Sequence, residues 1–174
     1  MDGGADFKKD RCVMNLGFKT IIVATDFSPV SDLALEYART LAHRFDAALH
    51  IVHVVEDPFP AAEVYVPEMS DFRIRFVADA EKRLASAVAD PVSAPGTWEV
   101  RIGNPARMIC EVAATQNADL IVMGTHGRGA FGHLFMGSVA ERVVRTAPCP
   151  VLTVRDSEAA AAAAELYAAA AART

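Results

Sequence analysis

The chain has 174 residues, 52% of them hydrophobic and 22% charged, with a formal net charge of −5. That is enough for one domain with its own core and short for two, and the apolar share excludes a chain too polar to fold. The negative balance, with Lys and Arg scattered, excludes a general electrostatic attraction to nucleic acid or to an anionic membrane.

Residues 1–17 read as a polar N-terminal extension, in which Lys8, Lys9 and Arg11 are the nearest thing to a cluster. It lacks the apolar stretch of a signal peptide, and no later apolar run is long enough to span a bilayer. Cys12, Cys110 and Cys149 lie far apart with no Cys-x-x-Cys spacing. Unpaired, reduced thiols of this kind point to the cytoplasm.

Residues 19–25 (KTIIVAT) form a short β-branched run that predicts a strand. Val30, Leu33, Ala34, Tyr37, Ala38, Leu41 and Phe45 then recur at helical spacing, with Ser28 as N-cap and Pro29 as first helical residue. Residues 48–55 (ALHIVHVV) are a second strand. The stretch 56–67 carries Pro58, Pro60 and Pro67 and reads as a long loop. A helix over about 69–89 follows, then an alternating strand at 98–102. Gly103 turns the chain, Asn104 caps, and Pro105 opens a helix to about Gln116. Residues 119–124 (DLIVMG) are a buried strand, 138–146 a helix, and 150–154 (PVLTV) the last strand. Residues 157–174 are an alanine-rich tail whose large apolar residues are Leu166 and Tyr167, too few to bury much surface.

Apolar strands alternating with helices imply a parallel sheet covered on both faces, wound in both directions from its centre. Ligands of such sheets bind beyond the C-terminal strand ends, where the strand order reverses. That draws attention to the ends at Asp26, Val54 and Gly124.

The glycine-rich segment 124–138 (GTHGRGAFGHLFMGS) follows a strand and opens a helix. Glycines let backbone approach an anion closely, and a helix N-terminus offers N–H groups and the positive end of its dipole. Two general motifs fail here. Gly127-x-Gly129-x-x-Gly132 neither opens a helix nor has an acidic partner about twenty residues on. Gly132-x4-Gly137-Ser138 lacks the lysine of a P-loop. The wider spacing, Gly124-x2-Gly127-x9-Gly137-Ser138, resembles the nucleotide-binding signature of the ATP-binding universal stress proteins. The resemblance runs from about Phe18 to Val154. It includes residues 21–28 (IIVATDFS), 49–54 (LHIVHV), the Gly103-Asn104-Pro105 turn and 149–154 (CPVLTV).

That resemblance implies a single Rossmann-like open sheet of the adenine nucleotide α hydrolase kind. Five parallel strands would stand in the order 3-2-1-4-5 with helices on both faces, over a domain spanning 18–156. It implies that Asp26 faces the adenosine, that backbone near Val54 contacts adenine, and that Gly124, Thr125, His126, Gly127 and Arg128 with Gly137, Ser138 and Val139 hold ribose and phosphates. Thr25 flanks this set. Ala24 stands where ATP-binding members often carry proline, and is expected as a weak contact. ATP, or AMP or ADP, is the implied ligand, with Mg or Mn on the phosphates and no metal site from protein spacing alone. A homodimer is implied through Val151, Leu152, Thr153 and Val154.

Plainer roles stand beside these. Asp26 can brace a turn, Ser138 and Glu141 can form a capping box, His53 can be a packed strand histidine, and Cys149 can be buried and inert. No nucleophile motif is encoded, and a missing lysine clamp argues for slow ATP hydrolysis at most. A ligand-free homodimeric interaction module and a slow nucleotide-hydrolysing enzyme are the alternatives.

Overall fold

The computed structural model describes residues 17–56, 67–88, 96–125 and 136–155, with 67–73 as backbone alone. The elements are β1 (Thr20–Thr25), α1 (Pro29–Phe45), β2 (Ala48–Val55), α2 (Pro67–Val88), β3 (Gly96–Ile102), α3 (Pro105–Thr115), β4 (Leu120–Gly124), α4 (Ser138–Thr146) and β5 (Val151–Val154). Every pairing is parallel, as the strand pattern predicts, and the order is β3-β2-β1-β4-β5, as the resemblance implies. α2 starts at its proline, two residues before the expected start, because Pro67 fits the first helical position. The extension up to residue 16, the proline-rich stretch 57–66 and the alanine tail fall outside the described residues.

Side chains alternate strictly between two layers. Ile21, Val23, Leu49, Ile51, Leu120 and Val122 pack under α1 and α2. Ile22, Ala24, Val52, Ile121 and Met123 pack under α3 and α4. Both faces of β1 and β4 are therefore buried, which explains their unbroken β-branched runs. A fully buried Ile or Val contributes roughly 1.5–3 kcal/mol. Gly103, at φ 140°, occupies backbone space that a residue with a Cβ rarely enters, and it aims the chain from β3 into Asn104 and α3.

A polar clamp sets the register of the two central strands. Asp119 Oδ2 accepts the backbone N–H groups of Lys19 at 2.7 Å and Thr20 at 3.0 Å, and the Asp119 N–H returns to the Thr20 carbonyl at 2.9 Å. The bond from Lys19, then that from Thr20, holds the Asp119 carboxyl below its usual range. A depressed carboxyl stabilises the fold above its unfolded pKa of about 3.9, and that stability goes as pH falls through the lower folded value. Asp119→Asn is expected to cost about 1 kcal/mol at neutral pH. Urea unfolding from pH 7 to pH 2 should show the gap to the unmutated protein closing in acid. A gap unchanged across that range would deny the carboxylate this role.

Candidate functional site

β1 has β2 on one side and β4 on the other, so the strand order reverses between β1 and β4. The connection from β1 enters α1 on one face, and that from β4 enters α4 on the other. In sheets of this kind, such a reversal opens a gap beyond the carboxyl ends of the two strands. Ala24 is buried in the α3–α4 layer, and Val54 packs against the same cluster from the neighbouring strand end.

The turn after β1 is fixed by short bonds. Asp26 Oδ1 accepts the Ser28 N–H at 3.1 Å, and Thr25 Oγ1 accepts the Phe27 N–H at 3.0 Å. Asp26 thus braces the turn at the end of β1, as a strand-end acid can. Ser28 caps α1 by accepting the Ser31 N–H at 3.3 Å. Thr25 is buried with its hydroxyl 3.1 Å from Ser31 Oγ, so its side chain serves the α1 side of the sheet.

Three residues that the sequence did not single out for this turn hold it. Phe27 sits at φ 62°, an unusual conformation for a bulky side chain. Its ring lies 4.4 Å from that of His53, and the Arg83 guanidinium stands 3.9 Å over it. His53 Nδ1 lies 2.8 Å from the Thr25 carbonyl oxygen, which can only accept, so this nitrogen carries the proton. These contacts join residues far apart in sequence, and no local pattern announces them.

On the other side of the gap, Thr125 is buried, its N–H donating to the Val154 carbonyl at 2.8 Å. Its carbonyl accepts the Gly137 N–H at 2.8 Å, which ties the start of α4 to the end of β4. His126, Gly127 and Arg128 lie outside the described residues. The N-cap of α4 is Gly137, not Ser138, and it makes no side-chain capping bond. Ser138 is the first helical residue and is exposed. Glu141 pairs forward with Arg145 at 3.1 Å. The capping box is therefore not formed, since a Ser in helical backbone cannot reach its own third N–H. α1 and α3 are capped by Ser28 and Asn104. At α4 the N-cap glycine supplies no side-chain cap, and among the described residues no other side chain caps its first N–H groups. Gly137 has φ −62° and ψ 149°, which any residue adopts, so glycine here is not demanded by conformation. Val139, partly buried, packs on the α3–α4 layer.

A cleft of about 540 Å³ lies elsewhere, between α1 and α2, with Thr25, Phe27, Asp32, Lys82 and Arg83 on its walls. Of the predicted contacts among the described residues it includes Thr25 alone. Among the described residues no group of three His, Cys, Asp or Glu is placed to hold a metal ion, and no helix is long and apolar enough to cross a membrane. Cys149 is partly rather than fully buried, and that burial pushes its thiol up.

The model of the universal stress protein family matches residues 17–155. A universal stress protein of Thermus aquaticus is 41% identical over 140 residues, covering 79% of this chain and 99% of its own length. The solved structure of universal stress protein UspA from Lactobacillus plantarum superposes with a TM-score of 0.66 at 28% identity, covering 81% of this chain and 100% of that one. The universal stress protein from Archaeoglobus fulgidus, solved in complex with dAMP, has a TM-score of 0.54 at 21% identity, covering 80% and 99%.

Proposed function

The chain belongs to the universal stress protein family, and on that footing we propose that it binds an adenine nucleotide, ATP or its ADP or AMP relatives, in the gap between β1 and β4. The observation that carries the reading is the start of α4. Among the described residues its N–H groups have no side-chain cap, and the small Gly137 ties this start to the end of β4 through Thr125. An anion there receives hydrogen bonds and the positive end of the helix dipole. Gly124, Thr125, His126, Gly127 and Arg128 with Gly137, Ser138 and Val139 would hold ribose and phosphates, and Mg or Mn would ride on the phosphates. Asp26, braced by Ser28, would face the adenosine, and backbone at Ala24 and Val54 would border the base. The relative in complex with dAMP supports an adenine ligand.

The role is regulatory or one in stress response, in the cytoplasm, with ligand retention rather than turnover as its basis. The nucleotide-binding domain spans 18–156, with 1–17 and 157–174 as appendages. The protein acts as a homodimer through β5, without nucleic acid or membrane as partners.

Protein purified without added nucleotide, then denatured, tests the reading through its supernatant. Adenine nucleotide at a substantial fraction of one equivalent per chain is expected. A supernatant without any, together with no heat on adding ATP, ADP or AMP, would overturn it.

A further inference from the structure

β2 and β3 bring together three residues that no sequence motif connects. The register sets His50 beside Thr97 and Val52 beside Glu99. Strand alternation then places Thr97, Glu99 and Arg101 on the same face of the outer strand. His50 Nδ1 lies 2.6 Å from Thr97 Oγ1, and its Nε2 lies 3.0 Å from Glu99 Oε1. The other oxygen of Glu99 pairs with Arg101 Nε at 2.7 Å.

The chemistry of these groups fixes where the protons sit. An Arg-paired glutamate is a carboxylate and can only accept. His50 Nε2 therefore carries a proton and donates it to Glu99. In the neutral ring this leaves a bare lone pair on Nδ1, aimed at the Thr97 hydroxyl. The imidazole is sheltered, with its side chain 10% exposed, whereas Thr97 is open to solvent. A held carboxylate, an imidazole in one tautomer and an accessible hydroxyl at hydrogen-bond distance make a nucleophile relay.

We propose that Thr97 is an activated hydroxyl that accepts an acyl group from a carboxylic ester, with His50 as its general base and Glu99 as the residue that positions the imidazole. Thr97 Oγ attacks the ester carbonyl carbon while its proton passes to His50 Nδ1. The bond to the leaving alcohol breaks, and that oxygen takes the proton from His50. Acyl-Thr97 remains, and water activated by the same imidazole releases the carboxylic acid and restores the hydroxyl. This site is separate from the nucleotide gap and does not depend on it.

The full chain is treated with a fluorophosphonate probe and with p-nitrophenyl acetate, and the modified peptide is mapped. The expected result is one phosphonyl group on Thr97, formed with loss of fluoride, and burst release of p-nitrophenol. Thr97→Ala should abolish both and Thr97→Ser should retain them. His50→Gln and Glu99→Gln should each slow labelling by about 100-fold or more. Thr97→Ser and Glu99→Gln preserve shape and polarity, so they remain decisive if His50→Gln fails to fold. If Thr97 is labelled no faster than other exposed hydroxyls, or at an unchanged rate in Glu99→Gln, the three residues merely satisfy a buried histidine.

Discussion

Gly137→Val is expected to weaken ATP binding by about 2–4 kcal/mol, roughly 30- to 1000-fold in Kd, while the domain stays folded. The separation of the two effects rests on the backbone. With φ −62° and ψ 149°, valine enters the native conformation without strain. The Gly137 N–H that holds Thr125 is kept. Valine is a poorer N-cap than glycine, so a stability loss of up to about 1 kcal/mol is expected from the helix alone. The affinity loss is larger because the branched side chain stands where phosphate and backbone N–H groups would meet. Calorimetry with ATP on both proteins, and urea unfolding of both, separates the terms. Equal ATP affinity in the two would remove the phosphate site from the start of α4.

Thr153→Pro is expected to turn a homodimer into a monomer. β5 stands at the edge of the sheet, and among the described residues no strand pairs with its outer side. The carbonyls of Pro150 and Val154 accept from Ile121 and Thr125 of the β4 side. Backbone groups alternate in direction along a strand, so those of Val151 and Thr153 point to the open edge. A two-fold axis lets this edge meet its own copy antiparallel. Proline at 153 removes the outward N–H and leaves the bonds to β4 intact. Val154 is the wrong place to probe, because it is 6% exposed and belongs to the α1 layer. A charge there would test folding instead. Light scattering at a few tens of micromolar should give twice the chain mass for the unmutated protein and the chain mass for Thr153→Pro. A monomeric unmutated protein would refute the dimer, and a dimeric Thr153→Pro would move the interface away from β5.

The sheet was legible because its signals are local. Residues 19–25 and 119–124 are β-branched and apolar on both faces, and only a central strand of a covered parallel sheet buries both. Asn104-Pro105 and Ser28-Pro29 fix two helix starts through a cap and a proline, and both caps form. The site was legible only as spacing. Gly124 and Gly137 could be counted from the sequence, but the bond from Gly137 to Thr125 and the place of Gly137 as N-cap needed the folded backbone. Ser138 and Glu141 matched a capping box in sequence, yet the helix starts one residue too early for it, at Ser138 itself. Phe27, His53 and Arg83 come from α2 and two strand ends, and His50 meets Thr97 across 47 positions. Such contacts depend on which strands are neighbours, a property no short window of sequence contains.

The central claim is that the gap between β1 and β4 holds an adenine nucleotide. Calorimetric titration of the unmutated full chain with ATP, after removal of any nucleotide carried through purification, tests it most directly. The account predicts saturable heat at one site per chain, reduced in Gly137→Val and unaffected by Thr97→Ala. No saturable heat with ATP, ADP or AMP, from protein whose fold is verified by its unfolding transition, would contradict it.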